Sequence, residues 1–157
     1  MKKHIDYARW LPAILWMAVI FFLSHQGAGS SSTLSSGITK TIHDLITTLL
    51  PWLDLDLDFF HFLVRKGAHF TAYLMLGLLV SYASRPEGPK SCGSVFLFCM
   101  LYAMSDEFHQ TFIPGRSGEL RDVLIDSAGA LSGILFYLSL TFQRARIRVR
   151  ESSQKSA

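Results

Sequence analysis

Tyr102–Asp126 reads YAMSDEFHQTFIPGRSGELRDVLID, and the rest of the chain is best read outward from it. An apolar segment ends there in a burst of ionisable residues, Asp106 to Gln110. The chain then turns through Pro114, Gly115 and Arg116 and re-enters apolar sequence still carrying Asp122 and Asp126. A helix advances about 100° per residue, so Tyr102, Asp106, His109 and Gln110 share one face, with Glu107 at its edge. On the next helix Asp122 and Asp126 share a face with Gly129 and Gly133. Charged groups at the end of a membrane segment are costly and point into a protein interior or a watery cavity. This stretch is therefore the expected functional site.

The chain has 157 residues, suited to one domain; half are hydrophobic and 17% are charged. So apolar a composition in so small a chain belongs to the membrane class, because a soluble domain of this size has too little interior to hide it. The formal charge of +3 is modest, and its placement matters more. Lys2, Lys3 and Arg9 lie near one end, and Arg144, Arg146, Arg148 and Arg150 near the other. Membrane topology explains that pattern better than nucleic acid, and no nucleic-acid partner is expected. Cys92 and Cys99 are seven apart in one apolar run. Two helical turns separate them by roughly 10 Å, too far for a disulfide.

Four apolar segments organise the chain. Trp10–Leu23 is short against the roughly 20 residues that cross hydrocarbon, and reaches that length if Ile5–Tyr7 joins it and Arg9 snorkels. A cleaved signal peptide has the same outline, but bulky Trp16, Phe21 and Phe22 near the small residues Gly27-Ala28-Gly29 favour an uncleaved span. Ser24–Ser36 reads as an exposed Ser/Gly-rich loop. Ile38, Ile42, Leu45, Ile46 and Leu49 then recur at helical spacing opposite Lys40, His43 and Asp44, an amphipathic surface helix ended by Pro51. Leu53–Asp58 alternates leucine with aspartate, consistent with a short strand or with a turn into an Asp58 N-cap. Phe59–Ser84 is the second span, with Lys66, His69, Tyr73 and Gly77 in one stripe. Cys92–Met104 is the third and Val123–Phe142 the fourth.

The expected fold is all-α: a polytopic four-transmembrane-helix bundle with an outer amphipathic helix between spans one and two. Both termini and the 84–91 turn would face the cytoplasm. His25, Arg65, Lys66, Asp106–Gln110 and Asp122 would gather at the outer boundary. Residues 1–143 would form the membrane domain and 144–157 a disordered basic tail. Gly129 and Gly133 form a GxxxG helix-contact motif, serving the bundle or a homo-oligomer.

The sequence RKGAHFTAYLMLG, followed by SDEFHQTFIPGRSGELRDVLIDSAGALSG, resembles the VanZ-like family of small bacterial membrane proteins. The likeness runs from about Trp10 to Tyr137. It implies the cytoplasmic membrane and a role at the cell envelope, the founding member conferring low-level teicoplanin resistance, an antibiotic-resistance trait. Residue by residue, the family pattern falls on Lys66, His69, Tyr73, Asp106, Glu107, His109, Gln110, Pro114, Gly115, Arg116, Asp122, Asp126 and Gly129. The segment between the first two spans departs from it, which leaves the outer cover undefined.

On chemistry alone, His109 is suited to acid/base work, with Asp106 or Glu107 orienting it and His69 as a second proton carrier. Arg116 offers a planar donor pair for phosphate or carboxylate, and Lys66 a nearby point charge. Tyr73, Gln110, Asp122 and Asp126 would line the same site. The set suits an anionic lipid head group, a phospholipid or polyprenyl phosphate. A metal reading uses Asp106, His109, Asp122 and Asp126, completed by Glu107 and His69, with Mg²⁺, Mn²⁺ or Zn²⁺ as the cation. A purely structural network is a third account: His69 would bond Asp106 or Asp122 to hold helices together. It explains single residues well, but not the gathering of so many ionisable groups at one membrane face. Enzyme, non-catalytic lipid-binding accessory protein and small proton-coupled carrier all remain open from sequence.

Overall fold

The structure, a computed structural model, describes residues 7–26, 28–49, 52 and 56–155. After a 3-10 turn at Tyr7–Trp10, five helices follow: α1 Leu11–Ser24, α2 Ala28–Leu49, α3 Leu57–Ser84, α4 Pro89–Gln110 and α5 Leu120–Lys155. No strand occurs among the described residues. The all-α expectation holds. Two helical stretches among them are long and apolar enough to cross a bilayer, Tyr7–Ser24 and Leu120–Gln154; α3 and α4 are not counted with them.

α3 and α5 make the most extensive contact, and glycine is the reason. A methyl group at Gly129 would overlap the Phe70 carbonyl oxygen, one at Gly133 that of Leu74, and one at Gly77 that of Ala130. Without side chains at these points the two backbones approach closely, as small residues allow between apolar helices. The GxxxG face is thus used inside the chain.

The core runs through Tyr73, Leu76 and Val80 of α3, Val95, Cys99 and Ala103 of α4, and Ala130 and Ile134 of α5. α1 lies across it, adding Ala13 and Ile20. Two long polar-tipped aromatics fasten α1: Trp16 Nε1 donates to the Ala72 carbonyl (2.8 Å), and Tyr102 Oη to the Met17 carbonyl (2.7 Å). Each buries a ring while satisfying its own donor. Both cysteines are free, Cys99 fully within the core.

Several boundaries differ from expectation. The Ser/Gly-rich segment expected as a loop is helical from Ala28, so α2 begins about ten residues earlier than its apolar periodicity. Serine and threonine disfavour helix only mildly, and in α2 threonine hydroxyls bond back to the preceding turn, Thr41 to Gly37 and Thr48 to Asp44. α2 turns half-buried His43 toward Phe60 of α3 and leaves Leu45 and Leu49 exposed. α3 is capped by Asp56 rather than Asp58: its carboxylate accepts the Asp58 N–H. Of the Leu53–Asp58 alternation, 53–55 lie outside the described residues, as do Lys2, Lys3 and Pro51. The 84–91 turn is shorter than read, because Pro89 opens α4, where its missing N–H costs nothing. The tail expected to be disordered continues α5 as helix to Lys155, its arginines being good helix formers.

Candidate functional site

α4 packs against α1, α3 and α5, so its buried face is wide. Ala103, Asp106, Glu107 and Gln110 are all buried, although three of them are polar. Asp106 looks toward α1: Ser24 Oγ, at the last residue of α1, donates to its Oδ2 at 2.8 Å. Glu107 looks toward α5, and its Oε2 accepts the Glu119 backbone N–H at 2.9 Å. Gln110 Nε2 lies between them, 3.3 Å from Asp106 Oδ2 and 3.1 Å from Glu107 Oε1. The loop comes close enough for the Glu119 contact because residue 118 is glycine, where a methyl group would stand 2.6 Å from the Glu107 carbonyl oxygen.

α3 and α5 contribute the remaining groups. His69 Nδ1 stands 3.3 Å from Asp126 Oδ1, outside hydrogen-bonding geometry. Asp126 is fully buried, and among the described residues neither of its oxygens receives a hydrogen bond. One turn earlier on each helix, Lys66 pairs with buried Asp122 and reaches Glu119 Oε2 at 3.3 Å. Donor atoms of His69, Glu107 and Asp126 all lie within 4.8 Å of one another. The Tyr73 hydroxyl, Asp106 Oδ1 and the Arg116 Nε are likewise buried without a partner among the described residues.

Arg116 closes the group from the loop, its Nη1 donating to the Ser24 carbonyl at 3.2 Å. Burial, helped by nearby Arg65, lowers its pKa below the ordinary arginine value, while Asp106 and Glu107 pull it back up. The guanidinium stays charged, as arginine does in proteins. A cavity of about 240 Å³ opens between α1 and α3 beside these residues. Val19, Leu23, Val64 and Ala68 supply apolar wall; Ser24, Arg65, His69, Tyr73, Asp106 and Arg116 supply polar lining.

The structure therefore brings together most of the residues expected from sequence: His69, Tyr73, Asp106, Glu107, Gln110, Arg116 and Asp126. Lys66 and Asp122 form an adjoining ion pair. His109 goes elsewhere. Its Nε2 lies 3.2 Å from His25 Nδ1, and its ring stacks on Phe21 at 4.7 Å between centroids, at a half-exposed rim. The expected metal set of Asp106, His109, Asp122 and Asp126 does not assemble. Asp122 is taken by Lys66 and His109 by His25, and the group that gathers among the described residues is His69, Glu107 and Asp126. Sequence reasoning gave Ser24 no role. A polar residue closing an apolar helix was the available signal.

With this geometry in view, the model of the VanZ/LLP1 family matches residues 9–142. The chain belongs to the VanZ/LLP1 family. No curated protein and no solved structure matches it. The VanZ/LLP1 match spans α1 to α4 and α5 as far as Phe142, and so contains every residue of the site. Family and apolar helices together point to a membrane protein.

Proposed function

We propose that this VanZ/LLP1 protein is a four-span protein of the bacterial cytoplasmic membrane, with both termini cytoplasmic, that takes an anionic envelope lipid or lipid-linked glycan into the cavity between α1 and α3. One observation carries the reading: a single cavity joins an apolar wall to a polar end holding Arg65, Arg116, His69 and Asp106. An amphipathic molecule is the ligand with that division of chemistry. The two arginines suit its phosphate, since guanidinium groups meet phosphate oxygens in pairs. The apolar wall suits the first part of its chain.

The four-span reading is supported by which side chains face outward. Leu97, Leu101 and Met104 of α4 and Leu124, Leu131 and Leu135 of α5 are exposed, while Lys66, Asp106 and Glu107 turn inward. Polar inside and apolar outside is the arrangement lipid requires. Within this reading His69, which lines the cavity beside Asp126, takes the place in the site that His109 was expected to hold. A change in teicoplanin susceptibility is the phenotype the family resemblance implies.

The test is binding of phosphatidylglycerol and polyprenyl phosphate to the full chain in detergent micelles, with phosphatidylcholine as comparison. Anionic lipid is expected to bind in preference, and Arg116→Ala to weaken it about 10- to 100-fold, the loss of a charged hydrogen bond. Equal retention of all three lipids, or an Arg116→Ala variant that binds as wild type does, overturns the reading. Mass spectrometry of the bound lipid separates the classes: product that disappears in His69→Gln marks an enzyme, and unchanged lipid marks a binding protein.

A further inference from the structure

Beside the Lys66–Asp122 pair, three more buried carboxylates, Asp106, Glu107 and Asp126, gather at this end of the bundle with too little positive charge beside them. Lys66 is engaged by Asp122 and Glu119, and Arg116 donates to a backbone carbonyl. Among the described residues Asp126 has His69 as its ion-pair partner, and Asp106 and Glu107 have none within ion-pair distance. Uncompensated buried charge is among the costliest features a fold can carry. Asp106 and Glu107 at least receive hydrogen bonds. Asp126 receives none among the described residues, though it is fully buried. Tyr73, whose hydroxyl is also buried and has no partner among the described residues, lines the same cavity as His69 and Asp106.

We infer that His69, Glu107 and Asp126 form a binding site for one divalent transition-metal ion. One imidazole and two carboxylates make a mixed nitrogen and oxygen set of the kind Zn²⁺ and Mn²⁺ accept. Donors around such an ion stand about 3–3.5 Å apart, given metal–ligand distances near 2.1 Å. The three donor atoms lie within 4.8 Å of one another, so side-chain shifts of about an ångström close the set. Glu107 is already oriented by Gln110 and by the Glu119 N–H, the outer hydrogen bonding that fixes a ligand carboxylate. The ion supplies the positive charge this end of the bundle lacks and leaves positions open toward the cavity that His69 lines. The site goes beyond the lipid reading and does not rest on it.

The experiment uses the full chain in detergent micelles with no lipid added, titrated with Zn²⁺ and with Mn²⁺ by calorimetry and assayed for bound metal after dialysis. About one ion per chain is expected for at least one of the two metals, as for a three-ligand site. Asp126→Asn and Glu107→Gln, each nearly isosteric, should reduce bound metal to background. Gln110→Ala should weaken binding about 10- to 100-fold through the lost orientation of Glu107. The double variant His25→Gln/His109→Gln should bind as wild type does. Absence of saturable binding by the wild-type chain overturns the proposal without any variant. So does binding that survives both carboxylate substitutions, or that is lost with the His25 and His109 rings, which would place the ion at the rim. Elution as a single species with unchanged helical circular dichroism shows that each variant is folded.

Discussion

Gln110 joins two acidic side chains with one amide nitrogen, donating to Asp106 and to Glu107 while its own Oε1 has no partner among the described residues. Replacing it by leucine keeps the volume and removes that donor from both carboxylates. An unsatisfied buried acceptor costs about 1–3 kcal/mol. Gln110→Leu is therefore expected to lower the thermal unfolding midpoint in detergent by several degrees, and Gln110→Glu, adding a third carboxylate, to lower it further. A leucine variant as stable as wild type would show that the network contributes nothing. That Asp106 and Gln110 share a face was legible, because four residues on a helix return to the same side. The role of His109 was not. Angles on one helix say which residues share a side, but not which neighbour each side meets. α4 packs against α1, α3 and α5: Glu107, at the edge of the sequence-derived face, is buried toward α5, and His109, placed on that face, meets His25 at the rim.

The seam between α3 and α5 is the element on which the site depends, since it sets His69 against Asp126 and Lys66 against Asp122. Its closeness rests on Gly129 and Gly133, where any Cβ overlaps backbone oxygen that cannot move aside. Gly133→Val is expected to cost about 1–3 kcal/mol or more by overpacking and to push the helices apart. The check is a thermal melt in detergent beside Ser132→Val, which adds a similar side chain at a half-buried neighbouring position. Equal stability of the two variants would remove the seam from the account. By contrast, α5 beyond Phe142 is exposed along its described side chains, so a chain ending at Gln143 should melt as wild type does. The motif G-x-x-x-G was readable as a helix contact, but not its partner, because small residues mark where backbones approach without naming the other backbone. The extent of α2 and α5 was hidden for a different reason. Periodicity reports burial, and a helix with little of its surface buried leaves no such trace.

At the scale of the whole molecule, the arrangement in the bilayer turns on α3 and α4. If all five elements lay as four spans and one surface helix, the turn between α3 and α4 would be cytoplasmic, beside Arg85 and Lys90. If only α1 and α5 crossed, α3 and α4 would stay on the outer side and that turn would be external. The buried charges do not separate these, because Lys66, Asp106 and Glu107 face inward in either case. The exposed leucines of α4 favour crossing, since water on that face would leave Leu97 and Leu101 unburied. In a background of Cys92→Ser and Cys99→Ala, single cysteines at Ser117, Glu87 and Ala145 decide the matter with a membrane-impermeant maleimide. Four spans predict that Ser117→Cys is labelled in intact cells, and that Glu87→Cys and Ala145→Cys are labelled only after the membrane is opened. Labelling of Glu87→Cys from outside would reduce the protein to two spans with α3 and α4 lying on the outer surface. The cavity between α1 and α3 would then meet water rather than lipid along that face, and an envelope lipid would have to leave the bilayer to reach Arg116. That is why the position of one short turn bears on the function as directly as any residue in the site.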